Sequence, residues 1–279
     1  MSYSQSTTTS ANTAPVSGPL FCTDVDLSKI DYSDIVPGKS NPSFKSVYMN
    51  YSGGNLMLQT PWLKTWDGIC AQPEEYRTPG APLKYSINFT LAGRNDGEVA
   101  AFKEFLRALD DKIITDVAQN CQTWLKKKLS KEVCDAFYTK QLRLAKDKET
   151  GEFTDKYPAS FKSKVPCYDG QWKCQLFNDK QEEMTGDLST HLTGKCEVRA
   201  ILKCGGIWFV NDKFGVTWNA HCLEYRSTEV APQTGYQFRR TADDENVGSA
   251  VVAGAGVVHR EIVDNGDDGD EAIEDSDME

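Results

Sequence analysis

The sequence predicts a mainly β fold with helices inserted in its middle, lying between residues 42 and 228. Three observations predict it. Short apolar–polar alternations recur along this stretch, the pattern of half-buried strands. Turn sequences rich in Gly, Asn and Asp separate them. One long stretch with apolar residues three and four apart interrupts the series and reads as a helix. Many short strands favour a barrel or a sandwich, and one long helix between strands favours a small barrel plugged at one end.

The elements follow in order. Residues 1–40 carry little pattern and read as a flexible N-terminal segment, disordered or loosely attached. Val47 to Tyr51, a Ser52-Gly53-Gly54-Asn55 turn and Leu56 to Thr60 read as a hairpin, ended by Pro61. Residues 62–82, with Pro73, Pro79, Gly80 and Pro82, read as a connecting loop. Lys84 to Leu91 alternates cleanly, with Tyr85, Ile87, Phe89 and Leu91 on one face. Asn95 or Asp96 then caps a helix whose stripe is Val99, Phe102, Leu106, Leu109, Ile113, Val117 and Cys121. Lys126-Lys127-Lys128 closes it, where cations suit a helix C-terminus. A shorter helix starts near Ser130 with Val133 and Phe137 inward, and residues 146–156 form a charged turn around Gly151.

Phe161 to Val165 is the next strand, Asp169-Gly170 a turn, and Trp172 to Phe177 the returning strand. Glu197 to Cys204, interrupted by Gly205-Gly206, then Ile207 to Val210, an Asn211-Asp212 turn and Lys213 to Tyr225 complete the domain, 42–228. Residues 229–260 read as a linker and 261–279 as an acidic C-terminal tail.

Charge is distributed unevenly. The chain's net charge is −10, and Glu261 to Glu279 hold ten carboxylates with no Lys or Arg. Residues 1–260 are therefore formally neutral, with 31 acidic and 31 basic side chains. Such a block repels itself and cannot bury a core. It reads either as a solubilising tail or as a mimic of a polyanion attached to a domain that binds a real one.

No secretory signal or membrane-spanning stretch is evident, so the chain reads as soluble and intracellular. The nine cysteines are odd in number, contain no Cys-x-x-Cys, and read as reduced, mostly buried thiols. The three histidines, His191, His221 and His259, show no ligand spacing. Gly194-Lys195 lacks the rest of a phosphate loop, since Cys196 stands where Ser or Thr would hold magnesium. The pattern therefore predicts no catalytic residues, no metal and no cofactor.

What the strands do carry is an interleaving of cations and aromatic rings. Lys162 and Lys164 lead to Trp172 and Lys173, then Arg199 and Lys203, then Trp208, Phe209 and Lys213. Between Lys126 and Lys173 there are twelve basic against seven acidic residues. Cations neutralise phosphates and flat rings stack on unpaired bases, so this combination points to single-stranded nucleic acid. Half the aromatics on alternating strands must nevertheless face a core. Trp218 shares parity with Phe214 and Val216, and Trp172 shares it with Cys174 and Leu176.

Three stretches carry a family resemblance: Ser52 through Pro61, Tyr157 through Lys162, and Gly206 through Phe209 with Lys213 through Trp218. With the order of elements and the acidic tail, they resemble the single-stranded-DNA-binding proteins of large nucleocytoplasmic DNA viruses. These are similar in turn to the phage replication protein of the T-seven type. The resemblance spans residues 44–228 and the tail. It implies an OB-fold-like β-barrel that coats single-stranded DNA during viral replication, recombination and repair, at the site of viral DNA replication in the host cell. It also implies that the tail, through Asp267, Asp268, Asp270, Glu271, Glu274, Asp275 and Asp277, competes for the DNA groove and recruits replication proteins. One departure is visible: the phage tail ends in an aromatic residue, and this chain ends Asp277-Met278-Glu279. A homodimer is left open. The rival readings are a structural or scaffold protein of a virus particle, and an enzyme with an unrecognised site.

Overall fold

Strand formation follows the alternating segments, and the long helix follows the apolar stripe. The computed structural model describes residues 18–227, apart from 39–42, 78–79, 148–149 and 155. The predicted linker and acidic tail lie outside the described residues.

The main strands are β1 (Ile30–Pro37), β2 (Phe44–Tyr51), β3 (Met57–Gln59), β4 (Leu63–Thr65), β5 (Ile69–Ala71) and β6 (Tyr85–Thr90). Helices α1 (Asp96–Trp124) and α2 (Lys131–Phe137) follow, leading directly into the short β7 (Tyr138–Thr139). The second half contains β8 (Ser160–Val165), β9 (Cys167–Tyr168), β10 (Gln171–Trp172), β11 (Gln175–Phe177), β12 (Cys196–Val210) and β13 (Lys213–Ser227). The protein is thus mainly β with inserted helices.

The long β12–β13 hairpin organises the sheet. One edge of β12 pairs with β13, and its other edge pairs successively with β4, β3 and β2. Pairings also run from β4 to β6, from β6 to β8 and from β8 to β13. The sequence β12–β4–β6–β8–β13–β12 therefore returns to its start. Two links are slender: Lys64 with Thr90, and Lys164 with Asn219 in parallel. The Gly205-Gly206 interruption is a register shift within one continuous strand. Gly206 sits at φ +92°, and a Cβ there would lie 2.3 Å from the Val47 carbonyl oxygen. Only glycine suits so close a backbone crossing.

Helix α1 starts at Asn95, whose side chain accepts from the Glu98 N–H at 3.3 Å. At 1.5 Å per residue its length is about 43 Å. Its buried face runs from Val99 through Phe102, Leu106, Leu109, Ile113 and Val117 to Trp124 and joins the common core. Removing that stripe from water is the main reason so long a helix persists.

Several expectations are corrected. The predicted flexible segment over residues 1–40 contains β1, which pairs with β2. Its Tyr32 hydroxyl donates to Asp116 of α1 at 2.5 Å, and its ring meets Trp124 edge-on at 5.4 Å. The 62–82 loop contains β4 and β5, whose Leu63 and Ile69 are buried. Three residues are too few to show a period, so pattern reading misses them. Val133 faces outward and Cys134 inward. The Asp169-Gly170 turn forms, but it joins only β9 and β10. Gln175–Phe177 is a separate strand running parallel to β13. The 146–156 turn is a small two-stranded arm, Ala145–Lys146 with Phe153–Thr154.

Candidate nucleic-acid interface

Strand β8 buries Phe161, Ser163 and Val165, so Lys162 and Lys164 must point outward. Register extends that outward face across the sheet. Lys164 lies opposite Ser86 of β6 and Asn219 of β13, and Asn219 lies opposite Lys203 of β12. Lys164 and Lys203 are thus two strands apart on one face, about 10 Å at ordinary strand spacing. Trp208 also faces outward. Its ring lies against Gly215, where a Cβ would come within 2.9 Å of it. Gly215 thus leaves the space in which the indole lies flat on the strand.

Two adjoining hollows meet at Lys162 and Lys164. One, of about 390 Å³, is lined by Phe44, Lys140, Arg143, Trp208, Val210, Val216 and Thr217, with Trp218 and Phe161 also contributing. The other, of about 530 Å³, is lined by Tyr76, Leu83, Lys84, Tyr85 and Tyr168. Neither lining contains a carboxylate. Tyr76 is 69% exposed and Tyr168 59%, which is ring area available to a flat partner. Among the described residues, no carboxylate forms an ion pair with Lys84, Arg143, Lys162, Lys164 or Lys203. Lys140 alone in the groove is paired, with the exposed Asp135. Partial burial holds the Lys162 and Lys164 ammonium groups below the ordinary lysine value, and neighbouring Arg143 and Lys84 add to the effect. The groove therefore concentrates positive charge that its own side chains do not neutralise, which favours a polyanion.

Of the nine sequence-selected residues, Lys162, Lys164, Lys203 and Trp208 share this face. The others lie elsewhere. Phe209 is corrected outright: it is 3% exposed and packs between Trp124 and Phe214, at 6.3 and 5.6 Å. Arg199 is held by Glu224 at 2.5 Å and lies over the Trp62 ring at 4.9 Å. Trp172 packs on Tyr85 at 4.6 Å and, with Lys173, lines a separate cavity that includes Glu183 and Asp187. Lys213 lines another hollow, with Lys45 and Lys127.

Sequence reasoning missed Lys84, Lys140, Arg143, Phe44, Tyr76 and Tyr168. Lys140 and Arg143 sit in an irregular segment with no period. Tyr168 adjoins the Asp169-Gly170 turn, and that position at a hairpin tip was the available signal.

The family model described as "Family of unknown function (DUF5871)" matches residues 97–239, just over half of the chain. The chain belongs to that family. A search of curated proteins finds no match. Among solved structures, the chain is similar to the single-stranded DNA-binding protein of bacteriophage Enc34 in complex with single-stranded DNA. Identity there is 11%, coverage is 70% of this chain and 97% of that one, and the TM-score is 0.41. It is also similar to gp2.5, a single-stranded DNA-binding protein encoded by bacteriophage T7. Identity is 9%, coverage 65% and 98%, and the TM-score 0.39. The phage T-seven type named by the sequence motifs thus recurs among the structural neighbours. Among the described residues no helix is long and apolar enough to cross a membrane.

Proposed function

We propose that the protein binds single-stranded DNA in the Lys162–Lys164 groove, without strong sequence preference, as a binding protein rather than an enzyme. One observation carries the reading: unpaired cations from three segments, Lys84, Arg143 and the Lys162–Lys164 strand, surround exposed aromatic rings in two adjoining hollows without carboxylates. Cations on one face supply phosphate neutralisation, and Trp208, Tyr76 and Tyr168 supply stacking surfaces. The family resemblance implies DNA as the ligand and a role in viral replication, recombination and repair inside the host cell. The circuit of pairings through β12, β4, β6, β8 and β13 supports an OB-type barrel, a fold that offers such a strand face to single strands.

Within the same proposal, 229–260 act as a linker and 261–279 as a competitor. The ten carboxylates of the tail offer a polyanion in place of DNA, and DNA binding releases them to recruit basic replication proteins.

The test is a tryptophan-fluorescence titration with oligo-dT across a salt series, for the full chain and for residues 1–260. Salt-sensitive quenching, tighter in the shorter chain, is expected. Absence of any response at low salt refutes the groove and turns the reading toward a structural particle protein. Equal affinity of the two chains refutes the tail as competitor.

A further inference from the structure

Beside the groove runs a segment with no regular secondary structure of its own beyond the two residues of β7. It extends from Tyr138 to Arg143 and supplies Thr139, Lys140, Gln141 and Arg143 to the wall. Such a segment would ordinarily be the loosest part of a site. Here it is tied at both ends. Tyr138 and Thr139 pair in parallel with Phe214 and Gly215 of β13, and Arg143 exchanges two backbone hydrogen bonds of 2.8 Å with Ser160.

Its middle is held from below by a carboxylate of helix α1. Asp110 is 5% exposed and, among the described residues, makes no ion pair. It accepts from the Tyr138 hydroxyl at 2.6 Å, from the Gln141 side-chain amide at 2.7 Å and from the Gln141 backbone N–H at 3.3 Å. Gln141 in turn accepts from the indole N–H of Trp218 on β13. Burial pushes the Asp110 carboxyl above its ordinary range, while these donors pull it down. A buried carboxylate without a direct ion pair is a poor way to stabilise a core, and an apolar side chain of similar size would serve better. Its distinctive property is geometric, because it fixes one segment from three directions at once.

We infer that Asp110 and Gln141 are positioning residues for DNA binding: the Asp110–Gln141–Trp218 chain fixes the groove wall so that Arg143 faces the phosphate path. The inference rests on the groove reading above. It assigns a role to the plug helix, which holds a wall of the binding face as well as filling the core.

The experiment measures oligo-dT affinity of the full chain against salt, for wild type, Gln141→Met, Arg143→Ala and the double variant. Each single-strand phosphate contact contributes about 0.7 to the slope of log affinity against log salt. Arg143→Ala is expected to lower the slope by about 0.7, which is about fivefold in affinity at 0.1 M salt relative to 1 M. Gln141→Met, similar in size and unable to relay the bonds, is expected to do the same. The double variant is expected to match either single one. A merely structural role would lower thermal stability and leave the slope alone. Asp110→Asn keeps the shape but sets an amide N–H against the Gln141 N–H, and is expected to reproduce the Gln141→Met slope if that variant is unstable. Wild-type slopes in folded Gln141→Met or Asp110→Asn overturn the inference while leaving the groove standing. Additive losses in the double variant also overturn it. If wild type itself does not bind, the groove reading falls and this inference falls with it.

Discussion

Two regions of the outer strand surface carry the same ingredients and arrive at opposite states. In the groove, Lys162 and Lys164 stand beside Trp208 with no carboxylate partner among the described residues. Around Trp62, Arg226 lies over the ring at 4.1 Å and Arg199 at 4.9 Å, and both guanidinium groups are spent on carboxylates. Arg199 meets Glu224, while Arg226 and Arg94 converge on Glu197, which is 1% exposed. The difference is register. Arg199 lies opposite Glu224 and Glu197 opposite Arg226 across β12–β13, so each cation faces an anion one strand away. Lys162 and Lys164 lie opposite Asn88 and Ser86, which leave their charge intact. An aromatic beside a cation thus marks a ligand face only when the neighbouring strand does not already neutralise it.

Four measurements break or sharpen this contrast. The largest effect is expected from reversing the groove charge: Lys162→Glu with Lys164→Glu should weaken oligo-dT binding at least 100-fold at low salt, by losing two phosphate contacts and adding repulsion. Trp208→Ala should cost about 1–3 kcal/mol, one stacked base, with little change in the salt slope. Unaltered binding in either case would dissolve the distinction between the two regions.

The Trp62 cluster should respond in stability instead. Glu197→Ala strands two arginines that partly reach water, so the cost is about 2–3 kcal/mol of unfolding free energy, less than for a fully buried pair. Urea denaturation reads this, and oligo-dT affinity should stay within about twofold, as it should for Arg199→Ala. The smallest effect concerns pH. Because the Lys162 and Lys164 ammonium groups titrate below the ordinary lysine value of 10.5, they lose charge earlier as pH rises. Affinity should therefore begin to fall at a lower pH in wild type than in a Lys162→Arg, Lys164→Arg chain, whose guanidinium groups stay charged. Superimposable pH profiles would show that these lysines do not carry the binding charge.

Much of the fold was legible because burial imposes periods. The α1 stripe, the outward Lys162 and Lys164, and the Lys213 strand all follow from spacing alone. Phe209 was misplaced because Trp208 and Phe209 are adjacent, and alternation can expose only one of them. The sequence does not say which; the bulge at Gly205-Gly206 resets the parity, and pairing with β2 turns Phe209 inward. β1, β4 and β5 were missed because their stability comes from partners distant in the chain rather than from local pattern. Arg143 reaches the groove from an irregular segment and Tyr76 from a single 3-10 turn, both too short or too irregular for a periodic rule.

The sequence by itself determined the class of fold, the long inserted helix and the concentration of carboxylates in residues 261–279. These depend on composition and local spacing, where hydrophobic burial acts over a few residues. Only the tertiary structure decided which cations remain unpaired and which rings remain exposed. Cross-strand register sets each charge's nearest neighbour, as Arg226 on β13 meets Glu197 on β12 at 2.7 Å, while Arg94 reaches the same carboxylate from a distant part of the chain. Ion pairing and stacking act over a few ångströms of space, and chain order does not fix those distances.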